Sequence, residues 1–271
     1  MHLQPLSALS EPLRWRLLSS FCLAPPVLAA VVFGMPWSGL LLLVMIVLLS
    51  WEWTSLVLGR FTFPTGLALI AGIVFSVVLV SQGEWLWSLV ALAVGGFSAS
   101  LLVPGSIEAP HKRTWLLGGS LYIGLACMAL YYIREQQPGG LDWVLWLLAV
   151  VWAVDVFAFL VGRSVGGWKL WPSVSPRKTW SGFAGGTLAG VLVGLAGTFW
   201  LESRPLWELA LGAGLLSLVV QGGDLAESAV KRHFDVKDAS ALIPGHGGLL
   251  DRVDGLLPAS IALALALWLG A

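Results

Sequence analysis

The chain has 271 residues, of which 58% are hydrophobic and only 11% charged, and its 15 basic side chains balance 15 acidic ones. A soluble domain carries about 25% charged residues, so this composition excludes an ordinary water-soluble enzyme and points to lipid as the solvent. A formal net charge of zero gives no basis for a nucleic-acid partner, and the only two cysteines, Cys22 and Cys127, lie inside apolar runs, which excludes a disulfide framework or a Cys-ligated metal.

A bilayer crossing needs about 20 apolar residues. In chain order the candidate spans are Leu17–Gly34, Trp37–Leu58, Pro64–Ser81, Trp85–Val103, Thr114–Ile133, Leu141–Val161, Gly182–Trp200, Leu206–Gly222 and Val253–Leu269. The first contains Pro25-Pro26 and is expected to kink; the last is short and is expected to tilt or to lie partly in the interface. No small-residue cleavage site follows the first run, so it reads as an anchor. The expected fold is an all-α polytopic membrane protein of nine transmembrane helices. The 16 Trp residues suit aromatic belts at the two interfaces.

Charge tests the count. With the N-terminus placed in the cytoplasm, nine alternating spans put 13 of the 15 Lys and Arg residues inside and leave only Arg134 and Arg204 outside. That bias is what the positive-inside rule demands, and one missed span would reverse every later loop. The chain then divides into residues 1–140, about five spans with no assigned chemistry, and residues 141–271, about four spans. The second part carries two long cytoplasmic segments, 162–181 and 223–252. The outside loops are short and nearly featureless. A bacterial inner membrane with the active site facing the cytoplasm is the expected location.

The chemistry concentrates in those two segments. Residues 222–254 hold 10 of the 30 charged side chains. Read as helix, Asp224, Glu227, Ser228, Lys231 and Asp235 share one face. Pro244-Gly245-His246-Gly247-Gly248 cannot be helix, and its glycines would let backbone N–H groups approach an anion. Asp251 follows at once. A Gly-rich turn, basic residues and separated acids suit a nucleoside triphosphate with Mg²⁺. In the earlier segment Arg177 and Lys178 suit phosphate oxygens, and Ser175 and Thr179 can donate to them. Asp155 lies about two turns inside the sixth span with Arg163 on the same face, read either as an ion pair or as a polar cavity entering the membrane. Glu52, between Trp51 and Trp53, reads as a near-interfacial structural acid. Gly182, Gly186, Gly190 and Gly194 recur every fourth residue, a spacing for close helix packing against another span or a second subunit, so a homodimer stays open.

The run from Ser228 through Lys231-Arg232, Lys237-Asp238, Pro244-Gly245-His246-Gly247-Gly248 and Asp251-Arg252-Val253-Asp254 resembles the signature of the phosphatidate cytidylyltransferase family, the CDP-diacylglycerol synthases, without a gap over 27 residues. Ser175-Pro176-Arg177-Lys178-Thr179-Trp180 and the Asp155…Gly162-Arg163 pattern resemble the family too. Ser181 departs from it, standing where an acid is expected before the glycine. The motif resemblance covers about residues 152–254.

The resemblance implies transfer of the cytidylyl group of CTP to phosphatidate in the cytoplasmic leaflet, with release of pyrophosphate. It implies Asp224, Asp251, Lys178 and Lys231 as catalytic residues, with Asp224 and Asp251 as ligands of Mg²⁺, a second ion being left open. Phosphate and CTP contacts are expected from Ser175, Arg177, Lys178, Thr179, Lys231, Arg232, Lys237, His246, Gly247, Gly248 and Arg252. Asp155, Glu227, Asp238 and Asp254 are the supporting acids. A phosphatidate phosphate is already largely ionised near pH 7, so His246 is assigned no role as a base. The rival readings are a related CTP-dependent lipid nucleotidyltransferase, a polyprenol or phytol kinase, a proton-coupled transporter using Asp155 and Glu52, and a catalytically dead scaffold.

Overall fold

The computed structural model describes residues 11–105, 110–199, 201, 204–243 and 247–270. Long apolar runs become helices because a chain in hydrocarbon must satisfy its own backbone groups. The long helices are α1 (Glu11–Phe33), α2 (Trp37–Leu58), α3 (Phe63–Ser81), α4 (Trp85–Leu101), α5 (Pro110–Tyr131), α6 (Gly140–Val165), α7 (Trp180–Ala196), α8 (Leu206–His233) and α10 (Leu256–Leu269), with a four-residue α9 (Leu250–Val253) before the last. Among the described residues, six helices are long and apolar enough to cross a membrane, and Cys22–Phe33, Trp85–Leu101 and Leu256–Leu269 are shorter apolar helices. The 14 residues of α10 span about 21 Å, short of a hydrocarbon core of about 30 Å. The preceding turn of α9 and the Asp254-Gly255 corner lengthen that pass. α1 is continuous through Pro25 and Pro26.

Two features depart from an all-α reading. A π-turn, Tyr132–Gln136, closes α5. Between α6 and α7 a small antiparallel hairpin forms from β1 (Lys169–Trp171) and β2 (Ser175–Thr179), with Lys169 opposite Thr179, Trp171 opposite Ser175 and an irregular register between them. Hydropathy alone read this whole segment as a loop. The helix in fact runs on to Val165, and the hairpin then returns the chain to the start of α7.

Contacts between helix ends show that successive helices alternate in direction. At one end, called here the site end, Thr65 at the start of α3 donates to the Leu102 carbonyl after α4 (3.0 Å), and Trp115 of α5 packs edge-on to Phe234 after α8 (5.5 Å between centroids). At the opposite end Ser38 of α2 donates to Glu135 (2.6 Å), and Arg134 donates to the carbonyls of Val31 (2.7 Å) and Val32 (3.2 Å) at the end of α1. Gln136 donates to the Val80 carbonyl at the end of α3 (2.8 Å). The loops at this end, expected to be featureless, thus hold a polar belt that closes helix termini left without partners.

Two apolar clusters form the interior. One joins α2 to α5 with Leu250, Val253 and Leu257; the other joins α6, α8 and α10 with Val31, Tyr132 and Ile133. Both cross the division at residue 140. The glycine stripe of α7 is used within the chain. A Cβ at Gly182 would lie 2.6 Å from the Ala158 carbonyl of α6, and one at Gly194 would lie 2.5 Å from the Leu209 carbonyl of α8. Close approach on both sides wedges α7 between its neighbours.

Candidate active site

At the site end a cavity of about 860 Å³ opens among α6, the hairpin, α7, α8 and the chain around α9. Its walls carry both signs of charge. Asp155 and Arg163 come from α6, Lys169, Ser175, Arg177 and Lys178 from the hairpin, Asp224 and Lys231 from α8, and Asp238, Asp251, Arg252 and Asp254 from the final segment. The two stretches that carry the motif, separated by more than 40 residues, therefore face one space. Asp155 and Arg163 form no ion pair; both line the cavity, so the polar-cavity reading of Asp155 holds.

The pairing within this cluster is specific. Lys178 Nζ lies 2.5 Å from Asp224 Oδ2. Lys231 Nζ bridges two acids, 2.6 Å from Glu227 Oε2 and 2.6 Å from Asp251 Oδ1. Asp251 Oδ2 accepts from the backbone N–H of Gly248 (2.7 Å) and of Ala239 (2.9 Å). Asp251 is thus enclosed, its side chain 6% exposed, whereas Asp224 keeps 34% and faces the cavity. The charges of Asp224, Glu227 and Asp155 all bear on Asp254, whose Oδ1 accepts from Gly255 N–H at 2.7 Å. Asp155, Asp224 and Asp254 thus concentrate negative charge on one cavity, which favours cations there.

Several expected phosphate contacts have other work. Thr179 caps α7: its Oγ1 accepts from Gly182 N–H (3.1 Å), and the residue is buried. Arg232 is exposed and donates to the Val236 carbonyl (3.0 Å), closing the end of α8, and it does not line the cavity. Lys237 is exposed and away from the cavity as well. Gly247 and Gly248 were expected to bring N–H groups to a nucleotide. Instead the N–H of Gly248 serves Asp251, and a Cβ at Gly247, whose φ is +85°, would lie 2.7 Å from Asp251 Oδ2. The anion that these glycines admit is the protein's own carboxylate. The assignment of His246 lies outside the described residues. Ser181, standing in place of an acid, donates to the Gly166 carbonyl (2.5 Å) and ties the start of α7 to the end of α6.

Other residues escaped the sequence reading. Lys169 lines the cavity, although its charge registers in the sequence only as inside bias. Gln221 of α8 also lines it and donates to Thr187 Oγ1 (3.1 Å) and the Phe183 carbonyl (3.3 Å), locking α8 to α7. Glu52 was placed near the interface as a structural acid. It is fully buried, and it accepts from Ser240 Oγ (2.6 Å), Leu249 N–H (2.8 Å) and Leu250 N–H (2.6 Å). The signal for it was a lone carboxylate inside an otherwise apolar 22-residue helix.

The sequence pattern that defines the cytidylyltransferase family matches residues 14–269. The chain belongs to the cytidylyltransferase family. Within it, the chain is 40% identical over 215 residues to the phosphatidate cytidylyltransferase of Brucella abortus biovar 1 (strain 9-941), covering 79% of this chain and 78% of that one. It is 35% identical over 204 residues to the phosphatidate cytidylyltransferase of Staphylococcus saprophyticus, covering 73% and 77%, and 34% identical over 204 residues to that of Staphylococcus aureus (strain COL), again covering 73% and 77%. Cytidylyltransferase chemistry asks for a space that holds a triphosphate, and a mixed-charge cavity of this volume meets that demand.

The donor set also bears on a metal. Among the described residues no three or more His, Cys, Asp or Glu side chains gather closely enough to form a metal cage. Mg²⁺ does not need one: it takes one or two carboxylates and completes its shell with phosphates and water. Acids and bases interleaved around one cavity, Lys178 beside Asp224 and Lys231 beside Asp251, fit that mode of binding.

Proposed function

We infer that the protein transfers the cytidylyl group of CTP to phosphatidate, yielding CDP-diacylglycerol and pyrophosphate for phospholipid synthesis. The observation that carries this is the identity to phosphatidate cytidylyltransferases over most of both chains, coinciding with a cavity on which both motif segments converge. A phosphatidate oxygen attacks the α-phosphorus of CTP, and the bond to the β-phosphate breaks. The nucleophile is already an anion near pH 7, since the second pKa of a phosphate monoester is about 6. What the protein must supply is charge neutralisation and alignment.

The residues that suit this are Lys178, Arg177, Arg163, Lys169 and Arg252 along the basic wall, with Ser175 as a donor. Mg²⁺ is proposed at Asp224 and Asp251, where it would neutralise the triphosphate and the leaving pyrophosphate. Lys178 and Lys231 now sit on those two carboxylates. Any cation drawn to the acids frees these ammonium groups for phosphate oxygens. Asp155 and Asp254 add negative charge that favours the cation.

Nine passes with the site end in the cytoplasm are proposed as the topology. The alternating helix directions and the 13-to-2 division of basic residues support it. The nucleotide is made in the cytoplasm, and phosphatidate would enter from that leaflet. The bacterial relatives point to the inner membrane.

Detergent-purified protein given phosphatidate, labelled CTP and Mg²⁺ should release CDP-diacylglycerol and equimolar pyrophosphate. CDP as the co-product would instead make it a lipid kinase. For topology, single-cysteine probes in a background lacking Cys22 and Cys127 should label Ser173 from the cytoplasm and Gln137 only from outside. Labelling of both from one side would overturn the nine-pass arrangement.

A further inference from the structure

Glu52 sits in the half of the chain that carries none of the family motif, yet it is bound only to the segment that does. Ser240, Leu249 and Leu250 are 188, 197 and 198 residues away in sequence, and together they supply three donors to its carboxylate. No Lys, Arg or His pairs with Glu52 among the described residues. A carboxylate with no exposed surface is costly unless donors replace the lost water, and here they come from a single loop.

The loop's position depends on what holds it: Gly247 and Gly248 lose more conformational freedom on ordering than any other residue would. Two carboxylates hold it. Asp251 draws in the N–H groups of Ala239 and Gly248; Glu52 draws in those of Leu249 and Leu250, the first N–H groups of the turn that carries Asp251. The fit is close, since a Cβ at Gly248 would come within 2.5 Å of Glu52 Oε1 and 3.0 Å of Ser240 Oγ. Glu52 does not line the cavity, so it cannot touch substrate; it acts through the loop.

We propose that Glu52 is a positioning residue for cytidylyl transfer: from α2 it fixes the backbone at Leu249–Leu250, and so sets where Asp251 meets Lys231 at the cavity wall. This rests on the reading of Asp251 and Lys231 as part of the reacting site. A displacement of about 1 Å at such a site costs on the order of 100-fold in rate. The expected signature is a fall in kcat with KM for phosphatidate little changed.

The test compares Glu52→Gln, Ser240→Ala and Asp251→Asn in purified protein, measuring thermal melting, kcat, and KM for CTP and for phosphatidate. Gln keeps the size of Glu52, but its amide nitrogen cannot accept the N–H that the second carboxylate oxygen now holds. Expected for Glu52→Gln is a folded protein whose kcat falls about 10- to 100-fold while KM for phosphatidate stays within about twofold. Ser240→Ala, which removes one of the three donors, should lower kcat about threefold in the same direction. The double variant should lose less than the product of the two, because both act on one loop. Full kcat per folded molecule in Glu52→Gln, whatever its melting point, would overturn the proposal so long as Asp251→Asn is inactive. Full activity in Asp251→Asn would overturn the site reading and this inference with it. If Glu52→Gln does not fold, Ser240→Ala decides: a wild-type kcat there overturns the proposal.

Discussion

The two ends of the helical bundle both carry charged and polar side chains, and they use them differently. At the end opposite the cavity, Arg134, Gln136 and Ser38 give their hydrogen bonds to helix-terminal carbonyls and to one another's neighbours. Those of Arg134 and Gln136 answer a need of the backbone, and that of Ser38 ties α2 to the turn that closes α5. At the site end the same need is met by a different set: Thr179 caps α7, Arg232 closes α8, and Glu52 and Asp251 hold the loop before α9. What remains after those duties is Asp224, Asp155, Asp254, Arg177, Lys178 and their neighbours around a cavity. The contrast teaches that position at a membrane boundary does not mark a catalytic residue. The useful mark is a charge whose hydrogen-bonding capacity the protein itself leaves partly unused.

The sharpest way to break this distinction is within the acids. Asp224→Asn should lower turnover about a thousandfold or more, with melting changed by no more than about 2 °C, because its carboxylate faces the cavity. Asp251→Asn should lose activity too, and should also destabilise the protein by about 3 kcal/mol, because it breaks an enclosed pair with Lys231 and loosens two backbone bonds. Equal melting for the two variants would show that the roles are not separate.

The bases give a second, smaller contrast. Lys178→Ala should cost about 100-fold in kcat, while Arg232→Ala, which only closes α8, should change it less than about twofold. A large loss in Arg232→Ala would mean that the residue reaches the nucleotide after all. Smallest in activity is the opposite end. Arg134→Ala should leave turnover per folded molecule unchanged and cost about 1–3 kcal/mol of stability, since two helix-terminal carbonyls lose their donor. Thermal melting with a parallel activity assay separates the two effects.

Reading these residues from sequence succeeded where the signal was local. The apolar runs at Trp37–Leu58 and Leu206–Gly222 became helices, the second continuing to His233, because backbone groups in lipid have no alternative partner. The motif stretches Ser175–Trp180 and Ser228–Asp254, with Asp224 just ahead of the second, pointed to Asp224, Asp251, Lys178 and Lys231, and all four line the cavity. Local signal runs out where one residue can serve two ends. Thr179 caps α7 and also lines the cavity, while Arg232 closes α8 outside it, and a basic residue beside a helix end carries no label saying which carbonyl it faces.

By itself the sequence determined the solvent, the number and placement of the apolar runs, the family, and the two segments that hold the chemistry. These follow from composition, hydropathy and residue order, properties that do not depend on which helix lies beside which. Tertiary structure alone decided that α2 stands next to the loop before α9, so that Glu52 reaches Leu249 and Leu250. It also decided that Lys178 faces Asp224 while Lys231 faces Asp251. The physical reason is that an ion pair or hydrogen bond is fixed by a few ångströms of separation. That separation is set by how the helices pack, and for residues nearly 200 positions apart the linear chain holds no measure of it.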